Sequence, residues 1–174
     1  ADLRELALAE AGQFPLNLQA VAPKDLLSSA VEQFALVAEA QDTQIEVLDA
    51  PMTAVKADPD RLSQVLHNLL GNALRYTSGG RITISSEQTA HEVRIRVTDN
   101  GSGIDPADLP HIFDRFYRHS RSTSDKTVQG FGLGLSIVRW IVHSHGGKIS
   151  AANRPEGGAI FTISLPHRRN RDSS

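Results

Sequence analysis

"DPDRLSQVLHNLLGNALRYT", residues 58–77, puts its large aliphatic residues on one side of a helix and two asparagines on the other. Asp58 stands at the N-cap position and Pro59 at the first helical position, where a missing N–H costs nothing. At 100° per residue, Leu62, Val65, Leu66, Leu69, Leu70 and Ala73 share one apolar arc. Arg61, Gln64, Asn68, Asn72 and Arg75 fall together outside it. Asn68 and Asn72 are four apart and stack one turn from each other. Asparagine is a poor helix former. The stripe is therefore either a solvated face or a row of oxygen donors for a ligand. A neutral amide oxygen suits Mg²⁺ beside a triphosphate, because the ion takes hard oxygens and keeps water and phosphate in its shell.

Outward from this helix, the pattern alternates helices with strands. Downstream, 79–87 and 91–99 alternate apolar and polar residues and read as an antiparallel pair. Residues 105–118 read as short helical turns, and 119–131 as a polar loop without a core pattern. Residues 133–145 read as an apolar helix, and 146–154 with 157–165 as a closing hairpin. Upstream, 14–21 reads as a first strand, 23–40 as a helix, and 43–49 and 52–57 as short strands separated by Pro51. Residues 2–11 read as the end of a longer helix, too short to stand alone. Mixed order of this kind gives a two-layer α/β sandwich.

Two glycine runs remain. In "VTDNGSGI", residues 97–104, Asp99 ends a strand and Gly101 and Gly103 follow. The carboxylate can accept a hydrogen bond from an exocyclic amine such as that of adenine. Asp-Asn-Gly is equally good Asx-turn chemistry. In "GFGLGLSIV", residues 130–138, Gly130, Gly132 and Gly134 lead into the apolar helix, whose first N–H groups can bind an anion. The spacing fits neither the dinucleotide fingerprint nor a P-loop.

The chain has 174 residues, 40% of them hydrophobic and 22% charged, which is the composition of a globular domain with a full core. A net charge of −2 argues against nucleic acid as a partner. There is no cysteine, which excludes disulfides and thiolate metal sites. No apolar run approaches the ~20 residues of a membrane span.

In their order and spacing, the pieces resemble the catalytic, ATP-binding domain of bacterial two-component sensor histidine kinases. That family sits in a superfamily with gyrase, the heat-shock chaperone and the mismatch-repair ATPases. "HNLLGNALRYT" is similar to the family's asparagine box, "DNGSGI" to its first glycine box, "IFDRFYR" at 112–118 to its phenylalanine box, and "GFGLGLSIV" to its second glycine box. The resemblance runs from about Phe14 to Pro166. It implies a Bergerat-type fold, a mixed and mostly antiparallel sheet of about five strands packed on three helices. It implies ATP and Mg²⁺ as cofactors, with Asn72 as metal ligand and Asn68 supporting metal or phosphates. Arg75 would contact phosphate, Tyr76 would pack by adenine, and Asp99 would bind the adenine amine beside Gly101, Gly103 and Ile104. Gly130, Gly132, Leu133 and Gly134 would back the phosphates, and Arg118 would reach the terminal one. Residues 119–131 match the nucleotide lid, anchored by Phe113 and Phe116 unless these are core residues.

The related ATPases carry a water-activating Glu where Asn68 stands here, and an amide is no general base near neutral pH. The γ-phosphoryl is thus expected to pass to a His on a separate dimerisation domain, and then to an Asp of a response regulator. None of the seven histidines sits in an H-E-L-R-T-P motif; "HEVRIRV" at His91 lacks the Thr-Pro and alternates like a strand. The expected division is 1–13 as the end of the dimerisation helix, 14–167 as the catalytic domain and 168–174 as a polar tail. The resemblance further implies a cytoplasmic, monomeric unit without membrane contact of its own, from a parent anchored in the inner membrane. A Ser/Thr kinase of the anti-sigma type and a nucleotide-sensing module without transfer are the rival readings.

Overall fold

The computed structural model describes residues 2–11, 15–49, 53–115, 117 and 134–167. Its elements run α1 (Asp2–Glu10), β1 (Gln19–Val21), α2 (Pro23–Ala40), β2 (Gln44–Asp49), β3 (Val55–Ala57), α3 (Pro59–Tyr76), β4 (Arg81–Gln88), β5 (Glu92–Asp99), a 3₁₀ turn (Leu109–His111), α4 (Gly134–Ser144), β6 (Lys148–Asn153) and β7 (Ala159–Pro166). Five strands form one sheet in the order β2-β4-β5-β7-β6, and β1 pairs with β3 in a separate ribbon. Only β2 and β4 are parallel, with Gln44 opposite Arg81 and Asp49 opposite Ser86. A parallel pair needs a crossover, and the segment between these two strands holds β3 and α3. The two-layer sandwich is therefore as expected.

One expectation needs correction. The strand read over 14–21 is only Gln19–Val21, and it joins the ribbon rather than the main sheet. Pro15 supplies no N–H for a ladder, which is reason enough for a late start.

The core lies between the sheet and α2, α3 and α4, with α3 contacting both other helices. The apolar arc of α3 is its buried face: Val65, Leu66, Leu69 and Leu70 are at most 1% exposed. Each such side chain contributes roughly 1.5–3 kcal/mol by leaving water. Asp58 caps α3, accepting from the amides of Asp60 and Arg61 at 3.1 and 3.2 Å. His145, just past α4, locks that cap from outside. Its Nε2 accepts the Asp58 amide at 3.0 Å and its Nδ1 donates to the Ile141 carbonyl at 2.8 Å. Both bonds together require the Nδ1–H tautomer. His145 thus joins α4 to the start of α3, beyond the helix-end role expected of it.

Along β5 the buried positions are Val93, Ile95, Val97 and Asp99. The two-residue period that buries the valines carries a carboxylate to the core face at the end of the strand. This parity is what positions the site.

Candidate functional site

Asp99 is 5% exposed. Its Oδ1 accepts two backbone amides, Gly101 at 3.0 Å and Ala159 at 3.2 Å. The first is the Asx turn that the sequence suggested; the second ties the corner to the start of β7. Oδ2 accepts no hydrogen bond from the described residues. The sealed side-chain atoms lacking a partner are Gln41 Oε1, Thr77 Oγ1 and Ser86 Oγ, so Oδ2 stays open to an incoming donor. A buried carboxylate with one oxygen committed and one open is suited to a neutral amine donor.

The corner around it is pinned at several points. Arg154 donates from Nη1 to the Asp99 carbonyl at 3.1 Å. Asn153 brackets Ile104, accepting its N–H at 2.7 Å and donating to its carbonyl at 2.6 Å. Gly158 has φ +91°, and a Cβ there would fall 2.0 Å from the Asp99 carbonyl oxygen. At Gly101 a Cβ would fall 2.2 Å from the Tyr76 carbonyl oxygen. The sequence reading reserved Gly101 for close approach to a flat ring. In the fold, the end of α3 occupies the side where its Cβ would lie, and Ser102 N donates to Tyr76 O at 3.3 Å. This glycine brings α3 and the corner together.

From Tyr76 the polar stripe of α3 runs back toward the helix N-terminus. Arg75 is exposed, and Tyr76, Asn72 and Asn68 are half-buried. No hydrogen bond joins the Asn72 amide to another described residue, so its oxygen is available. Asn68 Nδ2 donates to the Gly134 carbonyl at 3.4 Å, a long bond that ties α3 to the start of α4 and leaves Asn68 Oδ1 over. Around Gly134 a Cβ would meet nothing within 4 Å. The stripe ends on α1. Arg61 and Gln64 both donate to the Glu5 carboxylate, at 2.8 and 3.1 Å. Burial pushes the Glu5 carboxyl up, but the bonds and charge from Arg61 and Gln64 outweigh it and hold it below the usual range.

The structure thus brings Asp99, Gly101, Gly103, Ile104, Tyr76, Asn72, Asn68 and Gly134 into one connected region. Gly130, Gly132, Leu133, Arg118, Phe116 and the loop 119–131 lie outside the described residues. Phe113 meets Phe161 edge to face, with ring centroids 6.2 Å apart and planes at 88°, which is core packing. Tyr117, the residue before Arg118, donates its hydroxyl to Asp108, and that bond pushes the phenol above its ordinary range.

The histidines remain outside the chemistry. His91 lies at the β4–β5 turn, and His67 stacks on Phe34 at 4.8 Å between centroids. His111 does have a carboxylate neighbour, Asp114 at 3.1 Å. Among the described residues no three His, Asp or Glu groups gather for a metal ion. Asn153, Arg154 and Gly158 were missed as site residues. Asn153 and Arg154 read as the tail of a strand and Gly158 as a hairpin glycine, because the fifty-odd residues separating them from Asp99 hide the contact.

A profile described as "Histidine kinase-, DNA gyrase B-, and HSP90-like ATPase" matches residues 57–169. The signal transduction histidine-protein kinase AfsQ2 of Streptomyces coelicolor is 42% identical over 166 residues, covering 95% of this chain and 29% of AfsQ2. The chain therefore spans less than a third of that relative. Among solved structures, full-length ShkA in complex with AMPPNP superposes with a TM-score of 0.84 at 28% identity, over 96% of this chain and 35% of ShkA. The nucleotide-free catalytic domain of the histidine kinase ThkA superposes at 0.77 and 30% identity, over 88% of this chain and 97% of that domain.

Proposed function

The chain belongs to the histidine kinase-, DNA gyrase B- and HSP90-like ATPase family, and from that premise we propose that it binds Mg·ATP at the Asp99 corner and donates the γ-phosphoryl to a histidine on a separate domain. The observation that carries the reading is the divided Asp99 carboxylate. Two amides fix Oδ1, and Oδ2 is left to receive the adenine amine. Guanine offers a carbonyl there, so the same geometry selects against it.

With the base at Asp99, the phosphates extend along α3. Asn72 is the residue to hold Mg²⁺. Its available, uncharged oxygen fits a hard cation already surrounded by phosphate. The ion would supply charge neutralisation at the phosphates. Asn68 orients the phosphates beside Gly134, and Arg75 adds a cation. Gly130, Gly132, Leu133 and Arg118 complete the proposed phosphate surroundings by position in the sequence. In the transfer, the bond from the γ-phosphorus to the bridging oxygen breaks, a bond to the imidazole nitrogen forms, and ADP leaves. The protein's work is positioning and charge. Asn68 supplies no base for water, so hydrolysis is slow.

In this reading residues 14–167 form the catalytic unit, and 1–13 end the helix of the dimerisation domain. A response-regulator aspartate accepts the phosphoryl group next. No helix of the described residues is long and apolar enough to cross a membrane; anchoring belongs to other parts of the parent.

Labelled ATP tests this directly. The chain alone is expected to take up almost no acid-labile phosphate, and a matching dimerisation domain added in trans is expected to become labelled. Strong labelling of the chain itself, or brisk multiple-turnover phosphate release, overturns the transfer reading. Equal affinity for ATP and GTP in calorimetry overturns the role of Asp99.

A further inference from the structure

The stripe on α3 is shared between two claimants. Its C-terminal half, Asn68 to Tyr76, belongs to the nucleotide reading, on which this inference rests. Its N-terminal half is bound by α1. Arg61 Nη1 donates to Glu5 Oε1 at 2.8 Å and to Gln64 Oε1 at 3.0 Å, and Gln64 Nε2 donates to Glu5 Oε2 at 3.1 Å. Both carboxylate oxygens are engaged.

The order of residues along the helix fixes which end of a nucleotide lies nearest this cluster. The base corner meets α3 at the Tyr76 carbonyl. Asn72, Asn68, Gln64 and Arg61 then follow toward the N-terminus. A nucleotide with its base at Asp99 and its phosphates along Asn72 and Asn68 points its last phosphate at Gln64. The Arg61 guanidinium already lies against Gln64, one turn from Asn68, or about 6 Å of axial rise. That is shorter than the ~8 Å screening length at physiological salt.

We propose that Arg61 is a further residue of the terminal-phosphate subsite and that Glu5, on the helix entering the domain, neutralises it. While the Glu5 carboxylate holds Arg61, the pair presents no net charge to the last phosphate. When α1 lifts, or when Glu5 loses its charge, a full guanidinium charge faces that phosphate. A diphosphate ends short of this position and gains little. The coupling is reciprocal: whatever loosens α1 tightens the triphosphate, and a bound triphosphate weakens the seat of α1. Arg61 thereby contributes discrimination between ATP and ADP that depends on the state of the preceding helix.

The test is calorimetric titration of Mg·AMPPNP and Mg·ADP into the wild-type chain, Glu5→Gln, Arg61→Gln and the double variant, at low and high salt. Glu5→Gln removes one charge and keeps the shape. It is expected to tighten AMPPNP about fivefold, the low end of ordinary coupling energies, and ADP less than twofold. The gain should shrink in high salt and vanish in the Arg61→Gln background. Equal gains for both nucleotides, a gain that survives Arg61→Gln, or no change at all overturns the inference and leaves the nucleotide reading intact. Failure of the wild-type chain to bind either nucleotide overturns that reading, and this inference with it.

Discussion

The two ends of the proposed nucleotide site are built differently. At the base end, the Asp99 carboxylate, its carbonyl and both backbone groups of Ile104 are all hydrogen-bonded before any ligand arrives. Two glycines are required there by contacts of about 2 Å that a Cβ would make with backbone oxygens. At the phosphate end, Asn72 makes no hydrogen bond to another described residue, Asn68 makes one long bond, and Gly134 has open space around it. The base end is a preformed mould and the phosphate end a row of available groups. Recognition that must reject a near-isostere needs buried groups fixed in advance. Phosphates that must be gripped and then released to an acceptor suit groups that can move.

The sharpest break of this contrast is between two glycines. Gly158→Ala must seat a side chain at φ +91° against the Asp99 carbonyl, and is expected to destabilise the fold by about 3–5 kcal/mol. Gly134→Ala enters open space and should stay within about 0.5 kcal/mol. Urea unfolding midpoints read both, and similar midpoints for the two variants would sink the contrast.

The next effect is on ligand rather than fold. Asp99→Asn keeps an acceptor for the Gly101 and Ala159 amides but turns the other oxygen into a donor. ATP affinity should fall by roughly 1.5–3 kcal/mol, the scale of a hydrogen bond to a charged group, with little change in unfolding. Retained ATP affinity in calorimetry would remove Asp99 from the base subsite.

Asn153→Ala should cost about 1–2 kcal/mol of stability by freeing both backbone groups of Ile104. It should weaken ATP in step, because the loop beside the base loosens. Asn72→Ala should do the reverse of a structural mutation. Stability should move by less than about 0.5 kcal/mol, yet most of the Mg²⁺ dependence of ATP binding should go. Identical responses with and without Mg²⁺ would show that Asn72 is not the ligand.

The smallest expected effect is on α1. Glu5 has its folded carboxyl below the usual value of 4.5. The stability it adds to α1 docking is therefore full above that value and is lost as pH falls through the lower folded one. Hydrogen exchange of Asp2–Glu10, corrected for its intrinsic pH dependence, should show protection above pH 5 that fades in acid, and Glu5→Gln should show none of the fading.

The difference between the two ends also sets what could be seen in the sequence. The stripe of α3 was legible because helical periodicity is local: Asn68 and Asn72 declare their shared face within five residues. The helices and the two hairpins were legible for the same reason. Asp99 was legible as an acid at a strand end, but its burial follows from the parity of β5 against a sheet the sequence does not display. Asn153, Arg154 and Gly158 were illegible as site residues, since nothing local distinguishes them from any strand end and turn. Gly101 was read correctly as a close approach, but the approaching group is the end of α3. Glu5 escaped notice because its partners lie 56 and 59 residues away.

The bond from the Ala159 amide to Asp99 has a consequence for the order of folding. β4–β5 and β6–β7 are hairpins, but β5 meets β7 with Glu92 opposite Pro166, across more than seventy residues of chain. Long closures of this kind form late, after local pairs have assembled. Asp99 is only half anchored until that closure, and Gly158 and Asn153 reach the corner with the same strand pair. A chain in which the hairpins have formed but not joined therefore has no base pocket. Nucleotide can stabilise the finished domain by mass action, but it has nothing to hold in the intermediate. Refolding should accordingly proceed at the same rate with or without ATP, while unfolding slows in its presence.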